Sequence, residues 1–151
     1  SFEQWEGWHR AGICGLEGEF NFYAEGDAIL RAQNIAVAQA VKHARKCNIP
    51  VSEPTGGSEP TGGWEEYKTT WFEGLAVSCP LHQSEIGHEL ANKSDTFGLV
   101  WYMEEDGSIN CSLRSNGDYD VSALAKAFGG GGHRNAAGFK TDVQTLVEWL
   151  K

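Results

Sequence analysis

The chain of 151 residues is 40% hydrophobic and 22% charged, which suits one soluble domain with an appended helix and leaves too little chain for two full domains. Its net charge of −9 argues against nonspecific binding of duplex nucleic acid by the whole surface. No apolar run approaches the ~20 residues of a membrane span and no signal peptide is recognisable, so we expect a cytoplasmic protein with no membrane partner.

The cysteines are spaced about one secondary-structure element apart and form no Cys-x-x-Cys pair. They are Cys14, Cys47, Cys79 and Cys111. We interpret them as small buried side chains in a reducing compartment. A composite zinc site built from cysteine and histidine is the alternative.

The first half of the chain predicts one long helix and a flexible segment. Residues 1–16 are expected to be a loosely ordered lead-in, and apolar residues at helical spacing then predict a helix over 16–46, which Pro50 helps to end. The hexapeptide doublet at 52–63 reads SEPTGGSEPTGG and predicts a flexible linker or a long hairpin loop, because Pro and Gly are too dense for regular structure. A phosphate-binding loop is the weaker alternative.

The second half of the chain predicts strands alternating with helices. We expect an edge strand at 64–72 and a buried strand at 74–80, followed by a helix from its N-cap Ser84 to Asn92. A hairpin of 96–104 and 108–115 comes next, and then a helix at 118–128 capped by Asp120. A strand at 135–140 and a last helix capped by Thr141 or Asp142 complete the chain. This order predicts an α/β fold: a mixed β-sheet covered by helices and preceded by the long N-terminal helix.

Four consecutive glycines lie in the stretch FGGGGHRNAAGF, residues 128–139. Gly129 alone can end the preceding helix, so the other three need a further reason. A glycine-rich loop can present several backbone N–H groups to anionic oxygens. The next three side chains suit such a ligand, because His133 can donate to a phosphate, Arg134 has a bidentate fork, and Asn135 both donates and accepts.

Arg114 lies at the end of the predicted strand SLRS and belongs to the same hypothesis. The segment Ile109–Lys140 carries four basic and two acidic residues in an otherwise acidic chain. Such a small basic region suits a short anionic ligand better than a long nucleic acid. A surface ion pair with Asp118 or Asp120 is the competing interpretation of Arg114.

The segment DYDVSALAKAFGGGGHRNAAGF, preceded by SLRS, closely resembles the C-terminal DHH-associated (DHHA-type) domain of DHH family phosphoesterases, in the oligoribonuclease and phosphoadenosine-phosphate phosphatase branch. SEIGHELA, DTFGLVWYMEEDGSINCSLRS and YAEGDAILRAQ resemble earlier parts of the same proteins. The resemblance is weakest at 52–70. It implies a lead-in and linker helix at 1–50, a flexible loop at 51–63 and a nucleotide-binding domain at 64–151.

The resemblance implies that the glycine-rich loop, its histidine and the strand arginine hold a nucleotide substrate against a separate DHH domain with two manganese ions. Carried over by position, the substrate-binding residues are Arg114, Gly130, Gly131, Gly132, His133, Arg134 and Asn135. Ser112 and Ser115 are weaker additions, and His88 resembles a family position near the substrate. We read Trp101 and Tyr102 as core residues rather than base-stacking ones, and give no role to His9, His43 or His82.

The sequence departs from the family in its metal ligands. It contains neither an Asp-His-His triplet nor an Asp-x-Asp pair beside a histidine, and the DYD at 118–120 opens a helix. Two-metal phosphodiester cleavage needs such a cluster. We therefore expect no catalytic residue, metal or cofactor in this chain, and manganese in an absent DHH domain joined in cis.

The leading hypothesis is a substrate-binding module of a metal-dependent hydrolase, inactive alone, whose partner is a short RNA or DNA oligonucleotide or a nucleotide phosphate. The alternative is a free-standing, non-catalytic protein that captures mono- or dinucleotides. A small metal hydrolase built from cysteine and histidine is a third interpretation. Homodimerisation is left open.

Overall fold

The computed structural model describes residues 22–55 and 66–151. The chain divides into two units, Ser1–Ile35 and Ala36–Lys151. Helix α1 (Phe22–Lys42) contributes residues to both units, and the second unit contains a six-stranded sheet. Within the described ranges the fold has four helices and six strands.

The remaining helices are α2 (Gln83–Ser94), α3 (Val121–Ala127) and α4 (Val143–Trp149). The strands are β1 (Arg45–Pro54), β2 (Tyr67–Ser78), β3 (Phe97–Met103), β4 (Ile109–Ser115), β5 (Gly131–His133) and β6 (Ala136–Thr141). Their spatial order is β1-β2-β3-β4-β6-β5. β2 and β3 are parallel, since α2 crosses over between them, and the other neighbours are antiparallel. The predicted α/β fold with a mixed sheet is confirmed.

Side chains alternate between the two faces of the sheet, and β4 shows the pattern most clearly. Its odd-numbered residues are buried, whereas Asn110, Ser112 and Arg114 are half-buried. One face packs against α3 and α4, with Leu99 and Trp149 in its core. The opposite face packs against α2 and the second-unit part of α1, through Val37, Val41, Val77, Ile86, Leu90 and Val100. Arg114 therefore lies on the α2 face.

The structure corrects the predicted first helix at its C-terminal end. Helix α1 ends at Lys42, and β1 begins at Arg45, where a helix and then a loop were predicted. Burial of Cys47 and Ile49 at a spacing of two draws this segment into the sheet. Residues 52–54 of the doublet belong to β1, whereas 56–63 and the predicted lead-in at 1–16 lie outside the described residues.

The predicted edge strand and buried strand are one strand, β2, which lies between β1 and β3, and β1 forms this edge of the sheet instead. The Thr55 N–H donates to the Glu66 carbonyl at 2.7 Å, so odd-numbered residues of β1 direct their N–H groups towards β2. Pro50 and Pro54 then fall at outward positions, where a missing N–H breaks no ladder bond. The two prolines protect this edge against strand addition.

The predictions for the second half are mostly confirmed. The Asp120 carboxylate caps α3 by accepting from the Ser122 N–H at 2.8 Å, and Asp142 caps α4. The hairpin of β3 and β4 is present. The predicted N-cap Ser84 is wrong, because α2 begins at Gln83 and its N-cap position is His82, two residues earlier. Strand β5 was not predicted.

Burial supports the interpretation as structural residues for two of the cysteines, whereas Cys79 is only half-buried. Cys47 and Cys111 are buried, and this burial raises the pKa of each thiol to about 12. Cys14 lies outside the described residues. Among 22–55 and 66–151, no three His, Cys, Asp or Glu side chains converge where a metal ion could be held. No helix in these ranges is long and apolar enough to cross a membrane.

Candidate functional site

An open cleft of about 590 Å³ lies between α2 and the C-terminal end of β4. Its lining comes from the first half of α2, from β4 with the following turn, and from the turn between β5 and β6. The lining residues are Ser84, Glu85, His88, Arg114, Ser115, Asn116, Gly117 and Asn135. The volume falls within the roughly 300–1,000 Å³ that is usual for small-molecule sites.

Arg114 reaches the cleft along the surface of α2. Its aliphatic stem lies against Gly87, where a Cβ would be only 2.7 Å from Arg114 Cγ. Beyond this contact, Nη2 donates to Ser84 Oγ at 2.9 Å and Nη1 donates to the Leu113 carbonyl at 2.9 Å. These contacts hold the guanidinium in one position at the wall of the cleft.

No carboxylate in the described part of the chain pairs with Arg114. Asp118 instead forms an ion pair with Arg134 at 3.1 Å, and Asp120 caps α3. The competing interpretation of Arg114 as the ion-pair partner of these aspartates is therefore wrong. Its positive charge remains available to an anionic ligand.

The first two glycines of the run end α3. Gly129 has φ +77, and its N–H donates to the Lys126 carbonyl at 3.0 Å, while the Gly130 N–H donates to the Ala125 carbonyl at 2.9 Å. These two N–H groups are used by the helix terminus. Gly129 thus ends the helix as predicted, whereas the N–H of Gly130, which was predicted to bind the substrate, is already used by the helix terminus.

The last two glycines lie in strand β5 and differ from each other. Gly132 has φ +144, and a Cβ there would lie 2.5 Å from the Ala136 carbonyl, so the fold requires glycine. Gly130 is also crowded, because a Cβ there would collide with the Gly138 carbonyl. At Gly131 a Cβ would meet nothing within 4 Å and φ is not positive. Gly131 is thus the glycine of the run that the described fold does not require.

His133 and Arg114 share one face of the sheet. Ala136 of β6 is paired with Arg114 on one side and with His133 on the other, and directly paired residues project to the same face. Two strand spacings separate the Cα atoms of Arg114 and His133 by about 10 Å. His133 is exposed. The structure thus brings these two predicted residues onto one surface.

Arg134 and Asn135 hold the turn that follows β4. Arg134 Nη2 donates to the Asp118 carbonyl at 2.7 Å in addition to its ion pair. Asn135 Nδ2 donates to Ser115 Oγ at 3.0 Å and to the Gly117 carbonyl at 3.2 Å. Asn135 lines the cleft, whereas Arg134 does not. Asn135 therefore forms part of the cleft wall, whereas Arg134 only stabilises the turn through Asp118.

Of the weaker candidates from the sequence, two serines make contacts within the fold and one histidine lines the cleft. Ser112 Oγ donates to Gln83 Oε1 at 2.7 Å, and the buried Ser115 Oγ donates to the Tyr119 carbonyl at 2.7 Å, so both hydroxyls make structural contacts. His88 is exposed and lines the cleft. The Tyr102 hydroxyl donates to Glu104 Oε1 at 3.3 Å.

Sequence reasoning missed four cleft residues: Ser84, Glu85, Asn116 and Gly117. The available signal was SEIGHELA, because positions 84, 85 and 88 share one side of a helix and a glycine in its interior indicates close approach by another chain segment. Asn116 had no local signal. Its Nδ2 donates to Asn92 Oδ1, a contact between separate elements.

The segment that contains the cleft matches a known protein family. Residues 82–151 match the DHHA1 domain. All the cleft-lining residues fall in this DHHA1 segment. The resemblance to a DHH-associated domain is confirmed over these residues.

Two curated proteins are similar to shorter parts of the chain. An uncharacterized protein of Acanthamoeba polyphaga mimivirus is 43% identical over 68 residues, which cover 42% of this chain and 16% of that protein. A 3',5'-cyclic-nucleotide phosphodiesterase of Helicobacter pylori is 51% identical over 43 residues, covering 28% of this chain and 12% of that protein. The chain thus spans less than a fifth of the length of either relative.

Proposed function

We propose that this chain is the substrate-binding module of a DHH-type phosphoesterase, and that the cleft holds a phosphate of a nucleotide or short oligonucleotide. The observation that carries the proposal is the Arg114 guanidinium, fixed by Gly87 and Ser84 and without a carboxylate partner among the described residues. A guanidinium has five N–H donors, so its two protein contacts leave others for phosphate oxygens.

Small residues next to Arg114 support the proposal. On the α2 face of the sheet, Ala136, Gly138 and Gly131 lie between Arg114 and the outer edge at β5. All three are only half-buried and carry a methyl group or no side chain. This flat strip gives a nucleoside room to lie against the strands, with His133 at its far side as a further donor.

The hydrolytic step belongs to another domain in this proposal. The residues at 22–55 and 66–151 do not fit a pair of manganese ions, because no three potential ligands converge. We therefore assign binding and orientation of the substrate to this chain, and cleavage to a DHH domain in cis. The phosphodiesterase name of the H. pylori relative supports a phosphodiester substrate.

The proposal is tested by calorimetric titration of a 5'-phosphorylated dinucleotide into the parent protein, Arg114→Ala and Lys42→Ala. Loss of a hydrogen-bonded charge should weaken binding about 10- to 150-fold in Arg114→Ala. Lys42 is exposed and does not line the cleft, so its variant is the charge-matched control. Absence of binding by the parent, or unchanged binding by Arg114→Ala, would contradict the proposal.

A further inference from the structure

The turn that follows β4 forms one wall of the cleft. Asn116 and Gly117 line the cleft from this turn, and Gly117 has φ +60. A Cβ on Gly117 would meet nothing within 4 Å in the described part of the chain, so side-chain packing does not fix the turn at this residue. The position of this wall therefore depends on hydrogen bonds.

Arg134 bonds this turn at two places. Its Nη2 donates to the Asp118 carbonyl at 2.7 Å and forms the ion pair with Asp118 Oδ1 at 3.1 Å. Its own carbonyl accepts from the Val121 N–H at 2.8 Å. The ion pair contributes little because both side chains are exposed. The bond from the charged guanidinium to a backbone carbonyl, however, restrains the chain directly after Gly117.

The two arginines near the turn differ in what they can offer to a ligand. Arg114 lines the cleft and has no carboxylate partner within the described ranges. Neither Arg134 nor Asp118 lines the cleft. A phosphate that bound Arg134 would have to compete with the carboxylate and the carbonyl that this guanidinium already contacts. Arg134 is therefore placed to act on the wall of the cleft rather than on its contents.

We infer that Arg134 is a positioning residue, which strengthens ligand binding by holding Asn116 and Gly117 in place and does not itself contact the ligand. This inference rests on the proposed function, and it departs from the substrate-binding role that the sequence predicts for Arg134. Without its side chain the turn samples other conformations, so only a fraction of the molecules can bind. The apparent affinity falls in proportion to that fraction.

The first measurement is the affinity for a 5'-phosphorylated dinucleotide, titrated by calorimetry into the parent, Arg134→Ala, Arg134→Lys and Lys126→Ala. We expect about three- to tenfold weaker binding by Arg134→Ala. Arg134→Lys should recover most of this loss, because an ammonium group can donate to the same carbonyl. Lys126 is exposed and does not line the cleft, so Lys126→Ala is the charge-matched control and should bind like the parent. Thermal unfolding checks that each variant is folded at the temperature of titration.

Nuclear magnetic resonance of the arginine side chains separates positioning from contact. The Nε–H signals of Arg114 and Arg134 are identified by their absence in Arg114→Lys and Arg134→Lys. Saturating dinucleotide should shift the Arg114 signal of the parent and leave the Arg134 signal in place. In the absence of ligand, the backbone amides of residues 116–119 should exchange their hydrogens faster in Arg134→Ala than in the parent, because the turn is less restrained.

The possible results separate the inference from the proposed function. A ligand-induced shift of the Arg134 signal as large as that of Arg114 overturns the positioning role, and this test uses the parent, so it does not depend on the folding of Arg134→Ala. Parent-like affinity or unchanged amide exchange of Arg134→Ala also overturns it. In each case the proposed function stands if Arg114→Ala still weakens binding. Failure of the parent to bind the dinucleotide overturns both.

Discussion

The stem of the Arg114 side chain occupies the space that a side chain at Gly87 would need. A Cβ on Gly87 would lie 2.7 Å from Cγ and 3.0 Å from Cβ of Arg114. Glycine within a helix is about 1 kcal/mol less favourable than alanine. Glycine at position 87 therefore lowers the intrinsic stability of α2 but allows Arg114 to reach Ser84. The position of the Arg114 guanidinium, the proposed phosphate-binding group, thus depends on Gly87, which need not touch the ligand.

Gly87→Ala should accordingly weaken ligand binding while leaving the protein folded. The added methyl group displaces Arg114 and breaks its hydrogen bond to Ser84, while alanine favours the helix. We expect at least an approximately tenfold loss of affinity for a phosphorylated dinucleotide. Calorimetry measures the affinity, and thermal unfolding checks the fold. Glu89→Ala on the same helix is the control, and parent-like affinity of Gly87→Ala would contradict the positioning role.

The two glycines of β5 should respond differently to substitution. Gly132→Ala should lower the free energy of unfolding by about 1–3 kcal/mol, because its φ and the nearby Ala136 carbonyl both oppose a side chain. Gly131→Val should fold normally and weaken dinucleotide binding, because its side chain would enter open space beside the proposed site. Denaturant unfolding and calorimetry separate the two effects. Parent-like binding by Gly131→Val would remove Gly131 from the site.

The buried thiols should destabilise the fold at alkaline pH. Burial raises the pKa of Cys47 from its ordinary value of 9.0 to about 12, so the thiol stays protonated in the folded chain while it ionises in the unfolded chain. The stabilising contribution is complete below pH 9 and disappears between 9 and 12. Each such thiol should lower the free energy of unfolding by about 1.4 kcal/mol per pH unit in that window.

Urea unfolding from about pH 8 to 10.5 measures this dependence. Cys47→Ala should show a shallower slope than the parent protein, because one of the two protected thiols is gone. Cys79→Ala is the control, since Cys79 is only half-buried. Identical slopes for the parent and Cys47→Ala would show that other groups cause the pH dependence.

The protein of these 151 residues should not cleave phosphodiesters, even with added manganese. Two-metal cleavage needs converging carboxylate and histidine ligands, and the part of the chain that the structure describes has no group of three. Incubation of a labelled dinucleotide with the pure protein should leave it intact. Reproducible metal-dependent cleavage, abolished by a chelator, would reject the assignment of a purely binding role.

Local signals in the sequence were sufficient for the ends of α3 and for the start of α4. Asp120 and Gly129 were predicted correctly, and Asp142 is one of the two residues predicted to cap α4, because a cap depends on contacts within a few residues along the chain. The glycine run and Arg114 also pointed to the segment that contains the cleft. Their proximity in the fold follows from strand pairing, and the sequence indicated it only through a family resemblance.

Only the tertiary structure decided which residues are free to act. Arg134 is tied to Asp118, whereas Arg114 has no carboxylate partner in the described ranges, and no periodicity distinguishes these two arginines. The contact of Arg114 with Ser84 joins positions 30 residues apart. Strand β1 was missed for a similar reason, because its burial depends on pairing with β2 and on packing in the core, which its own residues do not show. Interactions of this kind depend on three-dimensional packing, so local sequence patterns do not record them.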